Sequence, residues 1–270
     1  MANGATSRGA LFGEAWLELL HGFKSWRLWT RFAKDDLRAR FRRSWVGPLW
    51  LVLTTAIFVA ALGFVYGSLF QLDIGTYLPF VAVGLVVWGF ISAIASEGVM
   101  TFVESETFIR QIRINPFVYV LRVVWRNTLV LGHHMLVALA VVLALAFPEP
   151  HLLLLAGLGG VLLLLQAVWI VPLLGLIGAR FRDLQPIIAN LLQVMFFITP
   201  ILWSPSLLGE RRWVADYNPL HSLISVVREP LLGSVPEPGT YLVVVAMTAT
   251  GFLLTMFLFG RLKARLVYWL

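Results

Sequence analysis

P-L-W-L-V-L-T-T-A-I-F-V-A-A-L-G-F-V-Y-G-S-L-F, from Pro48 to Phe70, runs for 23 residues without a charged side chain. An uncharged apolar stretch of roughly 20 residues matches the length an α-helix needs to cross the hydrocarbon of a bilayer. Working outward, five further runs have the same character: Tyr77 to Met100, Thr128 to Phe147, Leu152 to Gly178, Ile187 to Trp203, and Tyr241 to Gly260. Glu97 interrupts the second near its end, and Asn190 and Gln193 lie in the fifth. Composition agrees. Hydrophobic residues are 59% of the 270 and charged residues 13%, against about 45–50% and about 25% in soluble domains. A globule of this size has too little interior to hide that much apolar surface, so lipid is the expected solvent. The expected fold class is an all-α integral membrane protein of six transmembrane helices, forming a single domain over residues 1–270: a cytoplasmic and interfacial region to residue 47, spans over 48–260, and a tail from 261.

The charges orient the chain. With the N-terminus in the cytoplasm, 18 of the 21 Lys and Arg fall in cytoplasmic segments, leaving only Arg211, Arg212 and Arg228 outside. This follows the positive-inside bias and places both termini in the cytoplasm. The net charge of +7 is therefore read as topology and anionic lipid rather than nucleic acid, which is not an expected partner. The chain has no cysteine, which removes disulfides and thiolate metal sites. The first long apolar run lies too deep to be a cleavable signal, so insertion is expected to use internal helices.

Phe23 to Trp45 is too charged to span. Ala33, Leu37, Phe41 and Trp45 make an apolar stripe, flanked by Arg27, Arg31, Lys34, Arg38 and Arg42, and this reads as an amphipathic helix on the inner leaflet. On the outer side, Pro219 to Gly233 is semi-apolar, too short to span, and carries Arg228 and Glu229. It is expected to form a re-entrant or interfacial hairpin, which at membrane depth must be buried in protein or line a wet cavity.

Catalytic signatures are absent: no phosphate loop ending in Gly-Lys-Ser/Thr, no G-x-S-x-G elbow and no H-E-x-x-H. Adjacent His133 and His134 point about 100° apart on a helix and cannot chelate as an i,i+4 pair. They are expected to hydrogen-bond to neighbouring helices. The scarcity of ionisable residues within the spans argues against ion-coupled transport and against membrane-embedded acid–base chemistry. Aromatics are plentiful, with 19 Phe, 11 Trp and 6 Tyr. Most belong to interfacial belts and packing, but sugar rings present apolar CH faces that stack on aromatic rings. Trp50, Tyr66, Trp88, Phe90, Phe196, Phe197 and Trp203 are the candidates for lining a glycan channel.

Several segments together resemble the ABC-2 type permeases that export O-antigen, capsule and teichoic acid. They are R-F-R-R-S-W-V-G-P-L-W (Arg40 to Trp50), E-S-E-T-F-I-R-Q-I-R-I-N-P-F-V-Y-V-L-R (Glu104 to Arg122) followed by R-N-T-L-V-L-G-H-H, A-R-F-R-D-L-Q-P-I-I (Ala179 to Ile188) leading into L-L-Q-V-M-F-F-I-T-P-I-L-W (Leu191 to Trp203), and N-P-L-H-S-L-I (Asn218 to Ile224) with R-E-P-L-L-G and a terminal Y-W-L. The resemblance runs from about Leu11 to Leu270. It implies a permease paired with a second copy of itself and with two ATP-binding cassette subunits, which bind the ATP and Mg. This chain would need no cofactor or metal and would have no catalytic residue. Arg38, Arg40, Arg42, Arg43 and Trp45 would belong to a gate helix. Glu104, Glu106, Phe108, Arg110 and Arg113 would form the main coupling helix seated on the ATPase, with Arg180, Phe181, Arg182 and Asp183 as a second contact. A plain solvated loop closed by Glu106 and Arg110 at i,i+4 is the alternative for the coupling segment. The expected cargo is a lipid-linked polysaccharide, O-antigen ahead of capsule or teichoic acid, carried across a bacterial inner membrane. An enzyme acting on polyprenyl-linked sugars is the competing reading.

Overall fold

The computed structural model describes residues 8–112 and 114–270, with side chains from residue 12 onward except Phe70. The described residues form helices and their connections, with no strand among them. In order these are α1 (Arg8–Lys24), α2 (Trp26–Arg40), α3 (Leu49–Phe70), α4 (Ile74–Met100), α5 (Glu106–Gln111), α6 (Phe117–Leu145), α7 (Pro150–Arg180), α8 (Leu184–Ile198), a 3₁₀ stretch (Pro205–Arg212), α9 (Trp213–Asp216), α10 (Pro219–Leu231) and α11 (Pro238–Trp269). Among the described residues, five helices are long and apolar enough to cross a bilayer: α3, α4, α6, α7 and α11.

Helix ends follow local chemistry. Asp73 caps α4 by accepting the Thr76 amide at 3.0 Å; Asn218 caps α10 by accepting from the Leu220 amide at 3.0 Å. Such caps satisfy amides left open by the first turn. Proline opens α7, α10 and α11, where its missing N–H costs nothing. The connection after α3 closes through Gln71 in a left-handed conformation, φ 53°.

Three boundaries differ from the sequence reading. The expected Phe23–Trp45 helix is two helices, broken at Ser25 and ended at Arg40. The chain then turns through Arg43 at φ 76° and Gly47 at φ 61°. Of its expected apolar stripe only Ala33 is buried, and Trp45 is fully exposed. The third expected span starts at Phe117 rather than Thr128, because Arg122 and Arg126 find carboxylates to pair with. The fifth stops at Ile198, where Thr199 turns extended ahead of Pro200. Its 15 residues reach ~22 Å, short of the ~30 Å hydrocarbon.

The core forms around α4 and α7, which pack on each other and take α6, α10 and α11 around them. Small residues allow the closest approaches, as is usual between helices in lipid. A side chain at Gly159 would strike the Val226 carbonyl of α10, and one at Gly178 the Val99 carbonyl of α4. Polar clasps supplement packing: Gln166 donates to the Val244 carbonyl at 3.1 Å and to Thr248 at 2.6 Å, and accepts from the Trp169 indole at 2.7 Å, tying α7 to α11.

Candidate functional site

At the end of the bundle bearing most basic residues, α2 lies against α6 with Asp36 turned inward. Arg122 grips Asp36 with two N–H···O bonds of 2.6 Å each. Arg126, one turn further on, donates to Asp36 at 2.7 Å and to Glu97 of α4 at 2.8 Å, and Glu97 also accepts from Asn127. All four ionic side chains are less than a third exposed. Charge-assisted, bidentate pairs of this kind are the strong ones. The network joins α2, α4 and α6. Sequence reading picked out Glu97 without a partner, counted both arginines only among the cytoplasmic basic residues, and missed Asp36. The available signal was an acidic residue at the inward spacing Trp29, Ala33, Asp36 of a basic helix.

A second joint adjoins the first. Phe32, Asp35 and Asp36 of α2, Phe108 of α5, and Tyr119 and Arg122 of α6 enclose a cavity of about 150 Å³. The expected coupling helix therefore touches the space beside the ion-pair network. Glu104 and Arg110 are exposed, and Glu106 pairs with Arg110 at 3.0 Å; Arg113 lies outside the described residues. Arg180, Phe181, Arg182 and Asp183 are exposed at the end of α7. Arg180 lies over the Phe181 ring at 5.4 Å and the Trp269 ring at 5.2 Å, which ties that end to α11. The expected gate residues Arg38, Arg40, Arg42, Arg43 and Trp45 are all exposed, at the end of α2 and in the turns after it. Glu14 and Glu18 of α1 both accept from Lys263 of α11, at 3.2 and 2.8 Å.

The seven channel candidates separate. Trp88 lies 5.9 Å from Phe196 and Phe196 lies 5.4 Å from Phe197, while the Trp203 indole donates to the Phe197 carbonyl at 3.1 Å. These four form one group where α4 meets α8. Phe90 is buried at 5% exposure, about 200° around the helix from Trp88. Trp50 and Tyr66 each sit eight residues from Phe58 on α3, ~12 Å along the axis in opposite directions. Between α3, α4, α6 and α8 there is a cavity of about 420 Å³ lined by Thr54, Thr55, Phe58, Trp88, Gly89, His134 and Phe196 among others. His134 makes no hydrogen bond among the described residues. His133 bonds to the Leu129 carbonyl of its own helix at 2.7 Å. Neither histidine bonds to a neighbouring helix as expected, since one is satisfied by its own backbone and the other faces a cavity.

The broken backbone after α8 is held by side chains from other helices. Arg228 of α10, 2% exposed, donates to the Pro200 carbonyl at 2.7 Å and lies over the Phe80 ring at 4.0 Å. Tyr77 donates to the Leu202 carbonyl at 2.6 Å and Asn218 to Thr199 at 3.0 Å. Glu229, next to Arg228, is half-buried. Satisfying these groups is what lets irregular backbone exist among apolar helices.

Five long apolar helices around a polar-stitched core define a multi-pass membrane protein. The chain matches the family model described as ABC-2 type transporter over residues 27–232, and it belongs to that family. Among curated relatives, it is 27% identical over 240 residues to an O-antigen export system permease protein RfbA of Klebsiella pneumoniae, covering 85% of this chain and 90% of the relative. A protein of the same name from Myxococcus xanthus is 28% identical over 199 residues, covering 70% and 74%.

Proposed function

We propose that this chain is the permease subunit of an ATP-driven exporter that carries a lipid-linked O-antigen polysaccharide across the bacterial inner membrane. In this reading two copies work with two ATPase subunits. The names of its relatives support the cargo. The observation that carries the transport reading is α8. It is apolar, buries none of its residues, and exposes the amides of Asn190 and Gln193, two turns and one turn before Phe197 respectively. Exposed amides are costly against lipid and comfortable against water. Beside Trp88, Phe196 and Trp203, they make the flank of a wet, aromatic-lined conduit that a second copy completes.

The remaining assignments follow. Segment 199–203 completes the crossing begun by α8, giving six spans and returning both termini to the cytoplasm. The helix α10 enters the membrane from outside and returns. Helix α2 lies at the inner face as the gate, and α5 sits on the ATPase. The chain carries no phosphate-loop motif, so the ATP and Mg belong to the partner. When the ATPases close, displacement of α5 is felt at Phe108, in the cavity it shares with Asp36 and Arg122. The ion pairs then pass it to α2, α4 and α6.

The test is co-purification from membranes of this chain with the ATPase encoded beside it, together with restoration of surface O-antigen to a host lacking its own permease. A two-plus-two complex that restores the glycan establishes the reading. A folded chain that binds no ATPase overturns it.

A further inference from the structure

The cavity between α3, α4, α6 and α8 has a lining that neither lipid nor ordinary packing accounts for. Its volume of about 420 Å³ lies within the roughly 300–1,000 Å³ of small-molecule sites. Phe58 is 54% exposed and Phe196 half-buried, so ring surface remains open to the cavity, with Trp88 backing Phe196. Among these rings stand His134 and Thr55, which make no side-chain hydrogen bond among the described residues. Neighbouring Thr54 is satisfied by the Trp50 carbonyl at 2.8 Å. His134 is seventeen residues into α6 and Thr55 six into α3, so both lie along membrane-crossing helices rather than at their ends. An open imidazole there is expensive against hydrocarbon. At Gly89 a side chain would meet no atom within 4 Å, so the wall is open at that point.

Stacking rings beside unfilled donors and acceptors match one ligand chemistry: a pyranose, apolar on its CH face and hydroxylated at its edge. We propose that this cavity is a sugar subsite of the conduit. In it Phe58 and Phe196 face the ring of one passing residue, and His134 and Thr55 exchange hydrogen bonds with its hydroxyls. The inference rests on the transport reading and deepens it by bringing α6 into the glycan path and assigning His134 a recognition role.

The chain contains no cysteine, so Gly89→Cys places a single thiol in the cavity. Paired with a cysteine-free ATPase, in proteoliposomes turning over ATP, this variant should react with an anionic thiosulfonate, whose sulfur the water-exposed thiolate attacks to form a mixed disulfide with release of sulfinate. Export should then fall at least tenfold while complex assembly is unchanged. His134→Leu should lower export at least tenfold, and His134→Gln, which keeps a donor and an acceptor, should stay within about threefold of the parent. Labelling only by an apolar maleimide would mean a crevice that excludes charged groups, and labelling by neither reagent would mean that an acyl chain or protein fills it. Either result overturns the subsite, as does normal export by His134→Leu. If the unsubstituted chain neither assembles with the ATPase nor exports, the transport reading falls and takes the subsite with it. If that chain works and only the expected losses fail to appear, the subsite alone is wrong.

Discussion

Asp36 and Arg122, eighty-six positions apart, meet through two parallel hydrogen bonds of 2.6 Å. This pair docks the N-terminal basic helix onto the bundle, and Arg126 extends it to Glu97. Because the pair is largely removed from water, breaking one side leaves a charge without its partner. Asp36→Asn or Arg122→Gln should destabilise the fold by about 1–3 kcal/mol, read as a lower thermal midpoint in detergent. The exchange Asp36→Arg with Arg122→Asp should recover part of the loss. Full stability in both single variants would show that α2 docks by packing alone.

Two adjacent glycines on α7 should respond differently. At Gly159 a methyl would run into the Val226 carbonyl, whereas at Gly160 it would meet nothing within 4 Å. Gly159→Ala should cost about 1–3 kcal/mol through overpacking. Gly160→Ala should be neutral or stabilise by up to ~1 kcal/mol through helix propensity. Matched denaturation midpoints for the pair would contradict the close α7–α10 crossing.

Arg228 holds the Pro200 carbonyl and lies over Phe80. Lysine keeps the charge but not the planar fork that does both at once. Arg228→Lys and Arg228→Met should both loosen the segment after α8, at a cost of about 1–3 kcal/mol, and speed protease cleavage within 205–212. Unchanged cleavage in both would mean that Tyr77 and Asn218 suffice.

The Glu106–Arg110 pair is 37% and 52% exposed at its two side chains, and pairs that exposed contribute about 0–1 kcal/mol. Arg110→Glu should therefore leave the thermal midpoint nearly unchanged while abolishing the link between ATP hydrolysis and export. Wild-type export from this variant would remove α5 from the ATPase interface.

The differences between sequence and structure have physical causes. Composition and run length alone determined that the chain is helical and lies in lipid, since 59% apolar residues leave no soluble alternative. Each of the five long helices falls on an apolar run read from the sequence, because a span's length is set by the membrane rather than by its neighbours. The ion pair on α5 was legible for a local reason: Glu106 and Arg110 lie within one turn of each other. Tertiary structure decided the rest. Periodicity reports which side of a helix is apolar and says nothing of what stands opposite. Asp36 looked like one charge in a basic helix until α6 brought Arg122 to it. The apolar run of the fifth span continues through Trp203, but the helix stops at Ile198, and the freed carbonyls are taken by Arg228 and Tyr77 from elsewhere in the chain. Trp88 and Phe90 were indistinguishable as aromatics; α8 is what puts one beside Phe196 and the neighbouring cavity, while the other is buried on another side of its helix.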